Sequence, residues 1–421
     1  MAITSIKGFR DVLPAEAARR REIVDSARGV LEAYGYGEVE LPLLEKVELF
    51  SRSVGATSDI VEKEMYAFED RDGATIALRP EGTASLVRAY LEAGLARAQP
   101  VARLWYGGAM FRRERPQKGR YRQFSQIGAE FLGRDDPAAD AETLCLVADI
   151  CTAVGVRGMR IQVNSLGDAA CRPAYRDKLT AYGRSVADRL CDDCKARLER
   201  NPMRLLDCKV ESCRAAMEAA PLMVDNLCDG CRDHHAEVLS LVVSAGVEVE
   251  SNPRMVRGLD YYCRTAFEIT AEGQGSQDAI GGGGRYDGLV AALGGPDLPG
   301  IGFAFGVERL QLASIESDEV FAPLAMIAPI GDTAAAAALA LARRLRQTGC
   351  RIDLESPRRR LKAQMKQADK AGARFVVILG DAELETGRAT VRDLKAQKDH
   401  PSLFALADEA ESIIAALGCL E

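Results

Sequence analysis

Apolar and polar positions recur with several different periods along the chain, and these periods predict its elements. Between Pro14 and Gly35, apolar residues such as Ile23, Ala27 and Leu31 recur with the helical period, which predicts a helix. The stretches VARLWYGGAMF and QFSQIGAEFLG predict strands, and MYAFED and TIALRP predict a hairpin around an Asp-Gly turn. An initial helix followed by short strands and turns is therefore expected.

The pattern changes twice farther along the chain. From about residue 168 to 250 helical periods dominate and cysteines cluster, which indicates an inserted helical subdomain. MVRGLDYYCRTAFEIT then predicts a strand, GGGGRYDGLV a glycine-rich turn entering a helix, and GIGFAFGVERLQL a strand, a glycine turn and a helix. Beyond about residue 322 strands alternate with helices, as in a compact α/β domain. We therefore expect one domain over residues 1–322 and another over residues 323–421.

Composition is that of an ordinary globular protein. The chain has 421 residues, 47% hydrophobic and 28% charged, with a formal net charge of −7. It contains no run of about 18 apolar residues and no charged-then-apolar leader, so a cytoplasmic location without a membrane span is expected. The three histidines, His234, His235 and His400, lie away from the glycine-rich and arginine-rich motifs. Chemistry that depends on a histidine base is therefore not expected.

Positive charge is concentrated in FRRERPQKGRYRQF, residues 111–124, which holds six cations and one acid. A solvated charged loop is the ordinary explanation of such a run. Here, however, Tyr121 and Phe124 lie among the arginines. Guanidinium groups bind phosphate through paired hydrogen bonds, and aromatic rings stack on bases. Because the segment joins two predicted strands, we interpret it as a hairpin loop suited to a polyphosphate nucleotide.

Three further motifs carry candidate chemistry, and each has a purely structural alternative. In GIGFAFGVERL, glycines expose the backbone and Arg309 begins a helix, where anions bind; glycines in a strand also simply allow close packing. In LRPEGTA, Glu81 and Thr83 suit an ammonium group, or the segment simply begins a helix after Pro80. VRGLDYY combines a cation with two tyrosines, or forms a surface strand.

Taken together, these motifs resemble those of bacterial-type histidyl-tRNA synthetases. GFRDVLP, LRPEGTA, FRRERPQKGRYRQF, VRGLDYY, GGGGRYDGLV and GIGFAFGVERL occur in that family's order, and the similarity extends from end to end. The arginine loop resembles motif 2 of class II synthetases and GIGFAFGVERL resembles motif 3, whereas LRPEGTA and VRGLDYY resemble the histidine-specific elements. The resemblance implies an α+β fold. This fold comprises a class II catalytic core with an antiparallel β-sheet and flanking helices, a helical insertion, and a C-terminal α/β anticodon-binding domain.

The resemblance also implies how ATP is held. Arg112 is expected to bind the α-phosphate and to act as a catalytic residue. Glu114 is expected to contact the adenine amine, and Phe124 to stack beneath the ring. Arg120 and Arg309 are expected to neutralise the β- and γ-phosphates, with Arg309 also covering the adenine.

The histidine substrate is expected to occupy the other end of the site. By resemblance, its α-amino group is bound by the following residues: Glu81, Thr83 and Gln126. Glu130 and Tyr262 are expected to hydrogen-bond the two imidazole nitrogens, while Tyr261 lines the pocket. Arg257 is expected to contact the substrate carboxylate and the α-phosphate, which makes it the main candidate catalytic residue.

The implied reaction has two steps and several partners. Histidine reacts with ATP to form histidyl-adenylate and pyrophosphate, and the histidyl group then passes to the 3′ end of tRNA(His). Mg²⁺ on the phosphates is expected, and so is a homodimer built across the region around Pro42. Between residues 343 and 374, eleven cations face only three acids, which suits contact with an RNA backbone. A solvated helix face is the alternative.

The chain differs from the family's usual sequence at two places, and two other families must be compared with it. Ser125 stands where many members of the family carry histidine. No residue of the catalytic site is assigned as a metal ligand, but two C-x-x-C pairs in the insertion suit a zinc site as an alternative to packed thiols: Cys191, Cys194, Cys228 and Cys231. A synthetase-like regulatory subunit of ATP phosphoribosyltransferase is disfavoured because all motifs are intact. Another class II synthetase is disfavoured by VRGLDYY together with Glu130.

Overall fold

A computed structural model describes residues 3–55, 60–272, 279–315 and 322–418 of the chain. The chain divides into two compact units, Met1–Glu316 and Ser317–Glu421. Each unit is built around hydrophobic clusters of its own. Within the described ranges, no helix combines the length and the apolar character needed to cross a membrane.

The first unit mixes helices and strands along its whole length. Its helices are α1 (Pro14–Ala33), α2 (Val47–Ser53), α3 (Thr83–Glu92), α4 (Leu95–Ala98), α5 (Pro137–Val154), α6 (Arg172–Ser185), α7 (Asp192–Arg200), α8 (Glu211–Ala216), α9 (Asp229–Ser244), α10 (Leu289–Ala292) and α11 (Val307–Ala313). Its strands are β1 (Gly37–Glu38), β2 (Leu44–Lys46), β3 (Tyr66–Glu69), β4 (Thr75–Leu78), β5 (Ala102–Phe111), β6 (Gln123–Leu132), β7 (Arg160–Ser165), β8 (Glu250–Ser251), β9 (Cys263–Thr270), β10 (Ala279–Arg285) and β11 (Gly300–Gly306).

A mixed sheet organises this unit. Over the described residues it has eight strands in the order β1-β5-β6-β11-β10-β9-β7-β8. In this order, every pair of neighbours between β5 and β7 is antiparallel. Only the short edge strands β1 and β8 pair in parallel, with β5 and β7 respectively. The strands β2, β4 and β3 form a separate small antiparallel sheet. The expected antiparallel core is therefore confirmed.

Helix α1 shows how the apolar pattern determines the packing. Pro14 occupies the first turn, where its missing N–H costs nothing. Ile23, Ala27 and Leu31 are four residues apart, so they share one face, and all three are buried in the main core. Gly35, with a φ of +78°, reverses the chain after the helix. The helical prediction for this segment is confirmed.

The second unit alternates strands and helices, as the sequence predicts. It contains β12 (Ala325–Pro329), α12 (Ala335–Gln347), β13 (Ile352–Leu354), α13 (Leu361–Ala371), β14 (Phe375–Leu379), α14 (Asp381–Thr386), β15 (Arg388–Asp393), β16 (Lys398–Ala405) and α15 (Ala410–Gly418). The sheet order is β13-β12-β14-β15-β16, parallel in its first half and antiparallel in its second. Alternate residues of β12 belong to two different buried clusters, so both faces of the sheet are covered.

Two segments differ from their predicted structure. Residues 256–262 form a loop, and the strand predicted over VRGLDYY begins only at Cys263. The run of four glycines forms part of strand β10, not a turn. Glycine is required there because β10 lies unusually close to its neighbours. A Cβ atom on Gly283 would stand 2.1 Å from the carbonyl oxygen of Gly302.

Residues 168–250 are mainly helical, as predicted, and include α6 to α9. A buried cluster of this insertion combines leucines, methionines and Tyr175 with several cysteines. One zinc site shared by both C-x-x-C pairs, the alternative to packed thiols, does not match the structure. Cys191 and Cys194 belong to one cluster of ligand atoms, and Cys228 and Cys231 belong to another. Pairs that look equivalent in sequence are separated because each lies at the start of a different helix, α7 or α9.

Candidate active site

A cleft of about 460 Å³ opens over the antiparallel sheet of the first unit. Its volume lies in the range of small-molecule sites. Motifs that are far apart in sequence converge here, because all but one of the predicted catalytic and substrate-binding residues line the cleft. Glu130 is the exception, and the residues that line it are Glu81, Thr83, Arg112, Glu114, Arg120, Phe124, Gln126, Arg257, Tyr261, Tyr262 and Arg309.

Glycines shape the floor of the cleft by making room for polar side chains of neighbouring elements. A Cβ atom added to any of three strand glycines would stand 1.7–2.6 Å from such a side chain. The pairs are Gly128 with Tyr106, Gly302 with Glu130, and Gly282 with Arg257. Gly128 and Gly302 would also meet backbone carbonyl oxygens, so these two positions require glycine, whereas a side chain at Gly282 would displace the Arg257 guanidinium. The glycines therefore let large polar groups lie flat across the sheet.

Arginines form one side of the cleft, and the hairpin between β5 and β6 supplies two of them, Arg112 and Arg120. Arg112 donates from Nε to the carbonyl oxygen of Pro80 at 2.8 Å, and its guanidinium lies 5.3 Å from the centroid of the Phe124 ring. Arg120 pairs with Glu114 at 3.3 Å. Arg309 arrives from α11 and donates to a backbone carbonyl of β10. The predicted hairpin loop is thus confirmed, and two of its six cations, Arg112 and Arg120, line one cleft together with Arg309.

A buried carboxylate defines the opposite corner. Glu81 precedes helix α3, and its two oxygens accept hydrogen bonds from the backbone N–H groups of Thr83, at 2.7 Å, and Ala84, at 3.0 Å. Burial raises the pKa of Glu81, although the amides and Arg112 oppose this effect. The motif therefore begins a helix, as the structural alternative predicts, and its acid also lines the cleft; binding of an ammonium group by Glu81 stays a prediction.

Glu130 lies beneath the lining of the cleft and is fully buried. Thr83 donates from Oγ1 to one carboxyl oxygen at 2.6 Å, and the hydroxyl of Tyr286 donates to the other. In this conformation both oxygens already have protein partners, and Glu130 does not face the space available to a ligand. Burial raises the pKa of Glu130 to about 8, and the nearby Glu81 adds to this.

Replacement of Glu130 by glutamine is expected to reduce the pH dependence of stability. Burial raises the pKa of this carboxyl from 4.5 to about 8, so the folded state binds the proton more tightly than the unfolded state. Its contribution to stability is complete below about pH 4.5 and is lost as the pH rises through about 8. Glutamine has no such proton. Thermal unfolding between about pH 5 and about pH 9 should therefore show a shallower decline for Glu130→Gln.

The exposed Glu248 provides a matched control for this measurement. Glu248→Gln should retain the decline of the parent chain, because this carboxyl is exposed. If Glu130→Gln and the parent lost stability in parallel as the pH rises, Glu130 would not be the group that titrates.

A buried ion pair holds the end of strand β10 in place behind the cleft. Arg285 is fully buried, binds Asp140 through Nε and Nη2, and donates to the carbonyl oxygen of Arg134 at 2.9 Å. His234 contacts the same aspartate at 2.8 Å. Removing one partner of such a pair leaves an uncompensated buried charge. The network thereby fixes the position of Tyr286, the next residue, whose hydroxyl binds Glu130.

Aromatic rings enclose the part of the cleft near Glu130. The ring centroids of Tyr261 and Tyr262 lie 4.6 Å apart, and those of Tyr261 and Tyr286 lie 5.7 Å apart. Tyr106 completes this wall, and burial raises its pKa far above the ordinary tyrosine value. Its hydroxyl lies near Thr83 but makes no hydrogen bond of good geometry among the described residues. This pocket is therefore aromatic with a few polar groups at its base.

Arg257 projects from the loop before β9 into the centre of the cleft. Its Nη1 atom lies 3.2 Å from a carboxylate oxygen of Glu268, and its guanidinium lies 5.7 Å from the centroid of the Tyr262 ring. Its buried Nε atom has no hydrogen-bond partner among the described residues. The guanidinium of Arg257 therefore lies between the arginine side and the aromatic pocket. There it is available to bind an anion that extends from one to the other.

Sequence reasoning did not include several residues of the cleft. Tyr106 is one, although the register of β5 and β6 places it opposite Gly128, between the positions of Gln126 and Glu130. Knowledge of that register would have predicted it, since alternate residues of a strand share a face. Arg204 and Lys209 are further examples, and both come from the helical insertion.

The basic stretch of the second unit is only partly exposed. Arg344 and Arg346 donate to backbone carbonyls at 2.7–2.9 Å or closer, and Arg374 pairs with Asp393 at 3.1 Å, so these three hold the fold together. The other cations of the stretch are exposed: Arg343 lies on α12, Arg351 lies before β13, and six lie on α13 or the turn before it, namely Arg358, Arg359, Arg360, Lys362, Lys366 and Lys370. Most of the charge available to a polyanion is therefore on α13 and the turn before it.

Comparisons with known proteins agree over nearly the whole chain. A family model described as Histidyl-tRNA synthetase matches residues 8–310, and one described as Anticodon binding domain matches residues 325–406. The histidine–tRNA ligase of Geobacter metallireducens is 49% identical over 390 residues, which cover 93% of this chain and 94% of that protein. The histidine–tRNA ligase of Syntrophotalea carbinolica is 47% identical over 402 residues, covering 95% and 96% respectively.

A solved structure gives the same result for the fold. The crystal structure of apo S. aureus histidyl-tRNA synthetase matches with a TM-score of 0.80 at 34% identity, covering 99% of this chain and 100% of that chain. The convergence of the motifs on one cleft, the matched family model and the full-length relatives lead to the same conclusion. The chain belongs to the histidyl-tRNA synthetase family.

Proposed function

We propose that this chain carries out the reaction of its family, the ligation of histidine to tRNA. ATP is the energy-supplying substrate. In the first step the histidine carboxylate attacks the α-phosphate of ATP, which yields histidyl-adenylate and releases pyrophosphate. In the second step a hydroxyl of the terminal ribose of tRNA(His) attacks the activated carboxyl, which yields histidyl-tRNA and AMP.

ATP would bind along the arginine side of the cleft. Arg112 would bind the α-phosphate, because it projects from the β5–β6 hairpin next to the centre of the cleft. Phe124 would stack on the adenine, with Glu114 accepting a hydrogen bond from the adenine amine. Arg120 and Arg309 would neutralise the β- and γ-phosphates. A nucleotide with about four negative charges is stabilised by such a local excess of guanidinium groups whatever the net charge of the chain.

Histidine would bind at the aromatic end. Its α-ammonium would meet Glu81, with Thr83 and Gln126 beside it; Oε1 of Gln126 is buried without a partner among the described residues. Tyr262 would donate to or accept from one imidazole nitrogen, with Tyr261 packed alongside. Glu130, whose oxygens accept from Thr83 and Tyr286, would have to turn toward the cleft to reach the other nitrogen, because it lies beneath the lining.

Arg257 would be the principal catalytic residue. The attack gathers negative charge on the α-phosphate, and a guanidinium fixed beside it stabilises that charge more in the transition state than in the ground state. The carboxylate nucleophile is already ionised, so the first step needs no protein base. This agrees with a cleft whose described lining contains arginines, carboxylates and tyrosines but no histidine.

Mg²⁺ is part of the proposal because the donor chemistry of the cleft fits it. The described lining includes the carboxylates of Glu64, Glu268 and Glu308, and Mg²⁺ takes oxygen ligands while retaining several waters. When bound, the ion would offset charge on the polyphosphate. Glu308 is largely committed elsewhere, since it accepts from the backbone N–H of Ser125 at 3.0 Å and pairs with Arg20 at 3.0 Å.

The convergence of Glu81, Arg112, Arg257 and Tyr262 on one cleft is the observation that carries this function. Exchange of labelled pyrophosphate into ATP, measured with each of the twenty amino acids, tests it directly. Histidine alone should support exchange, and tRNA(His) should then be charged. Exchange driven by another amino acid, or absence of exchange with histidine, would contradict the proposal.

The second unit would bind the anticodon region of the tRNA through α13. Lys362 and Lys366 are exposed on that helix. Their joint replacement by alanine should raise the KM for tRNA about tenfold and reduce its salt dependence, because two phosphate contacts are lost. Pyrophosphate exchange should stay at the parental rate.

Lys395 and Lys398 offer a matched control in the same unit, because both are exposed lysines near the β15–β16 turn. Their replacement should leave the KM for tRNA nearly unchanged. An equal effect of both double variants on charging would indicate diffuse attraction instead of a site on α13.

The remaining features of the family are also proposals for this chain. We place the catalytic domain at residues 1–322, with the insertion at about 168–250, and the anticodon-binding domain at residues 323–421. The active form would be a homodimer built across the region around Pro42. A cytoplasmic location would follow from the reaction, since charged tRNA is used by cytoplasmic ribosomes.

A further inference from the structure

The helical insertion gathers its cysteines into two compact clusters that the ligase reaction does not use. In each, four ligand atoms lie within 4.8 Å of one another. The first cluster contains only thiols: Cys191, Cys194, Cys208 and Cys213. The second combines three thiols with one carboxylate: Asp168, Cys171, Cys228 and Cys231. Every cysteine described between residues 168 and 250 belongs to one of the two.

The first cluster brings together three short elements. Cys191 caps the N-terminus of α7 and Cys194 lies in its first turn, whereas Cys208 follows a 3₁₀ turn and Cys213 lies in α8. The Sγ atoms of Cys191 and Cys208 are 4.0 Å apart. The backbone N–H of Cys191 donates to Sγ of Cys213 at 3.0 Å. An amide that donates to a sulfur stabilises negative charge on it, as a thiolate ligand requires.

The second cluster repeats the same construction at a different place. Cys228 caps the N-terminus of α9 and Cys231 lies in its first turn, while Cys171 caps α6. The Sγ atoms of Cys171 and Cys231 are 3.9 Å apart. Oδ1 of Asp168 lies 3.6 Å from Sγ of Cys171 and 3.9 Å from Sγ of Cys228. Two pairs spaced by two residues, one of them Asp-x-x-Cys, therefore face each other.

These separations match a tetrahedral metal site better than the alternatives. Four sulfurs at about 2.3 Å from a zinc ion stand about 3.8 Å from one another. A disulfide would need about 2.05 Å, about half the observed separations. Packing of thiols in a hydrophobic core does not predict that they gather in groups of four or that a carboxylate lies among them. Cysteine thiolates and one carboxylate are ordinary ligands of zinc.

We propose that each cluster binds one structural Zn²⁺ ion, so that the chain carries two. A helical subdomain of about 80 residues has a small core, and metal ions commonly stabilise domains of this size. Arg264 lies beside the second cluster, 3.6 Å from Asp168, where its charge would partly balance three thiolates and a carboxylate around one divalent ion.

The first ion would also order one wall of the active site. The segment between Cys194 and Cys208 includes Arg204 and ends beside Lys209, and both cations line the cleft. Asn201 in the same segment donates to Asp260 at 2.9 Å, which joins it to the loop that carries Arg257. Binding of zinc by this cluster would therefore hold cleft residues in place without taking part in the reaction.

The proposal is tested first on the unaltered full-length chain. Purified protein, dialysed against EDTA, should retain about two zinc ions per chain by elemental analysis. A mercurial that titrates thiols should release them, and exchange by Co²⁺ should give the visible absorption of tetrahedral cobalt–thiolate sites. A content near zero or one, or iron in place of zinc, would overturn the proposal. This measurement does not depend on ligase activity, so the proposed function stands or falls separately.

Single variants then assign each ion to its cluster. Cys194→Ser and Cys231→Ser should each lower the zinc content by about one per chain and lower the unfolding temperature. Cys350→Ser should change neither, because this partly buried thiol belongs to the second unit and to neither cluster. If either cluster variant fails to fold, the Co²⁺ spectrum of the unaltered chain still decides between thiolate coordination and packed thiols. Full retention of zinc by a folded cluster variant would contradict its assignment.

Discussion

Replacement of Arg257 by alanine is expected to lower the rate of histidine-dependent pyrophosphate exchange by about 10²–10³-fold. The guanidinium occupies the junction between the arginine side and the aromatic pocket, where the α-phosphate and the substrate carboxylate would meet. Gly282 has no side chain, so the guanidinium can lie over β10. Alanine would leave the charge developed in the transition state without this partner. The loss should appear mainly in kcat, because the interaction strengthens as the reaction proceeds.

The exposed Arg160 supplies the matched control for this variant. It lies on β7 of the same sheet, and its side chain is 63% exposed. Arg160→Ala should keep the parental exchange rate, and both variants should keep the parental unfolding temperature within a few degrees. Arg257→Lys should recover only part of the rate, since a single ammonium does not reproduce the paired donors of arginine. Near-normal exchange by Arg257→Ala would remove this residue from the mechanism.

The nucleotide side of the site could be predicted from sequence because its residues are local. The cations of the basic loop lie within fourteen residues, and two flanking apolar stretches identify the loop as a hairpin. Any fold that pairs β5 with β6 must bring these cations together. Only Arg309 comes from elsewhere, and its place at the start of α11 follows from the glycines before it.

The histidine side could be predicted only in part, because it depends on the register of several strands. Tyr106 has no motif around it and enters the site only because β5 pairs with β6 opposite Gly128. The depth of Glu130 could not be predicted either. It is set by Gly302 on the neighbouring strand and by Tyr286, which lies more than 150 residues away.

The insertion shows the same limit for the cysteines. Spacing in sequence identifies C-x-x-C pairs, but it does not show which pairs meet. Packing brings Cys191 and Cys194 to the segment of Cys208 and Cys213, which has the less familiar spacing of four intervening residues. It also recruits Asp168, which has no sequence feature typical of a ligand. Tertiary packing, not spacing, therefore determines the composition of each cluster.

Replacement of Glu81 by glutamine is expected to raise the KM for histidine by about 10–150-fold. A hydrogen bond between charged partners contributes roughly 1.5–3 kcal/mol, which corresponds to that range of affinity. Burial raises the pKa of Glu81, so the two backbone amides and Arg112 do not fully compensate its ionised form. The ammonium group of the substrate would supply it. Glutamine has nearly the same shape but no charge. Steady-state exchange kinetics at varied histidine concentration measure the change.

Glu81 also stabilises the start of helix α3, so its effect on substrate binding must be distinguished from its effect on folding. Its oxygens accept the backbone N–H groups of Thr83 and Ala84, and the amide oxygen of glutamine can still accept one of them. The unfolding temperature should therefore fall by only a few degrees, whereas alanine at this position would remove both hydrogen bonds. Glu92→Gln, at the exposed end of the same helix, should leave the KM for histidine unchanged. If Glu81→Gln raised the KM no more than Glu92→Gln did, the carboxylate would be a helix cap alone, and the ammonium group of the substrate would have to bind elsewhere in the cleft.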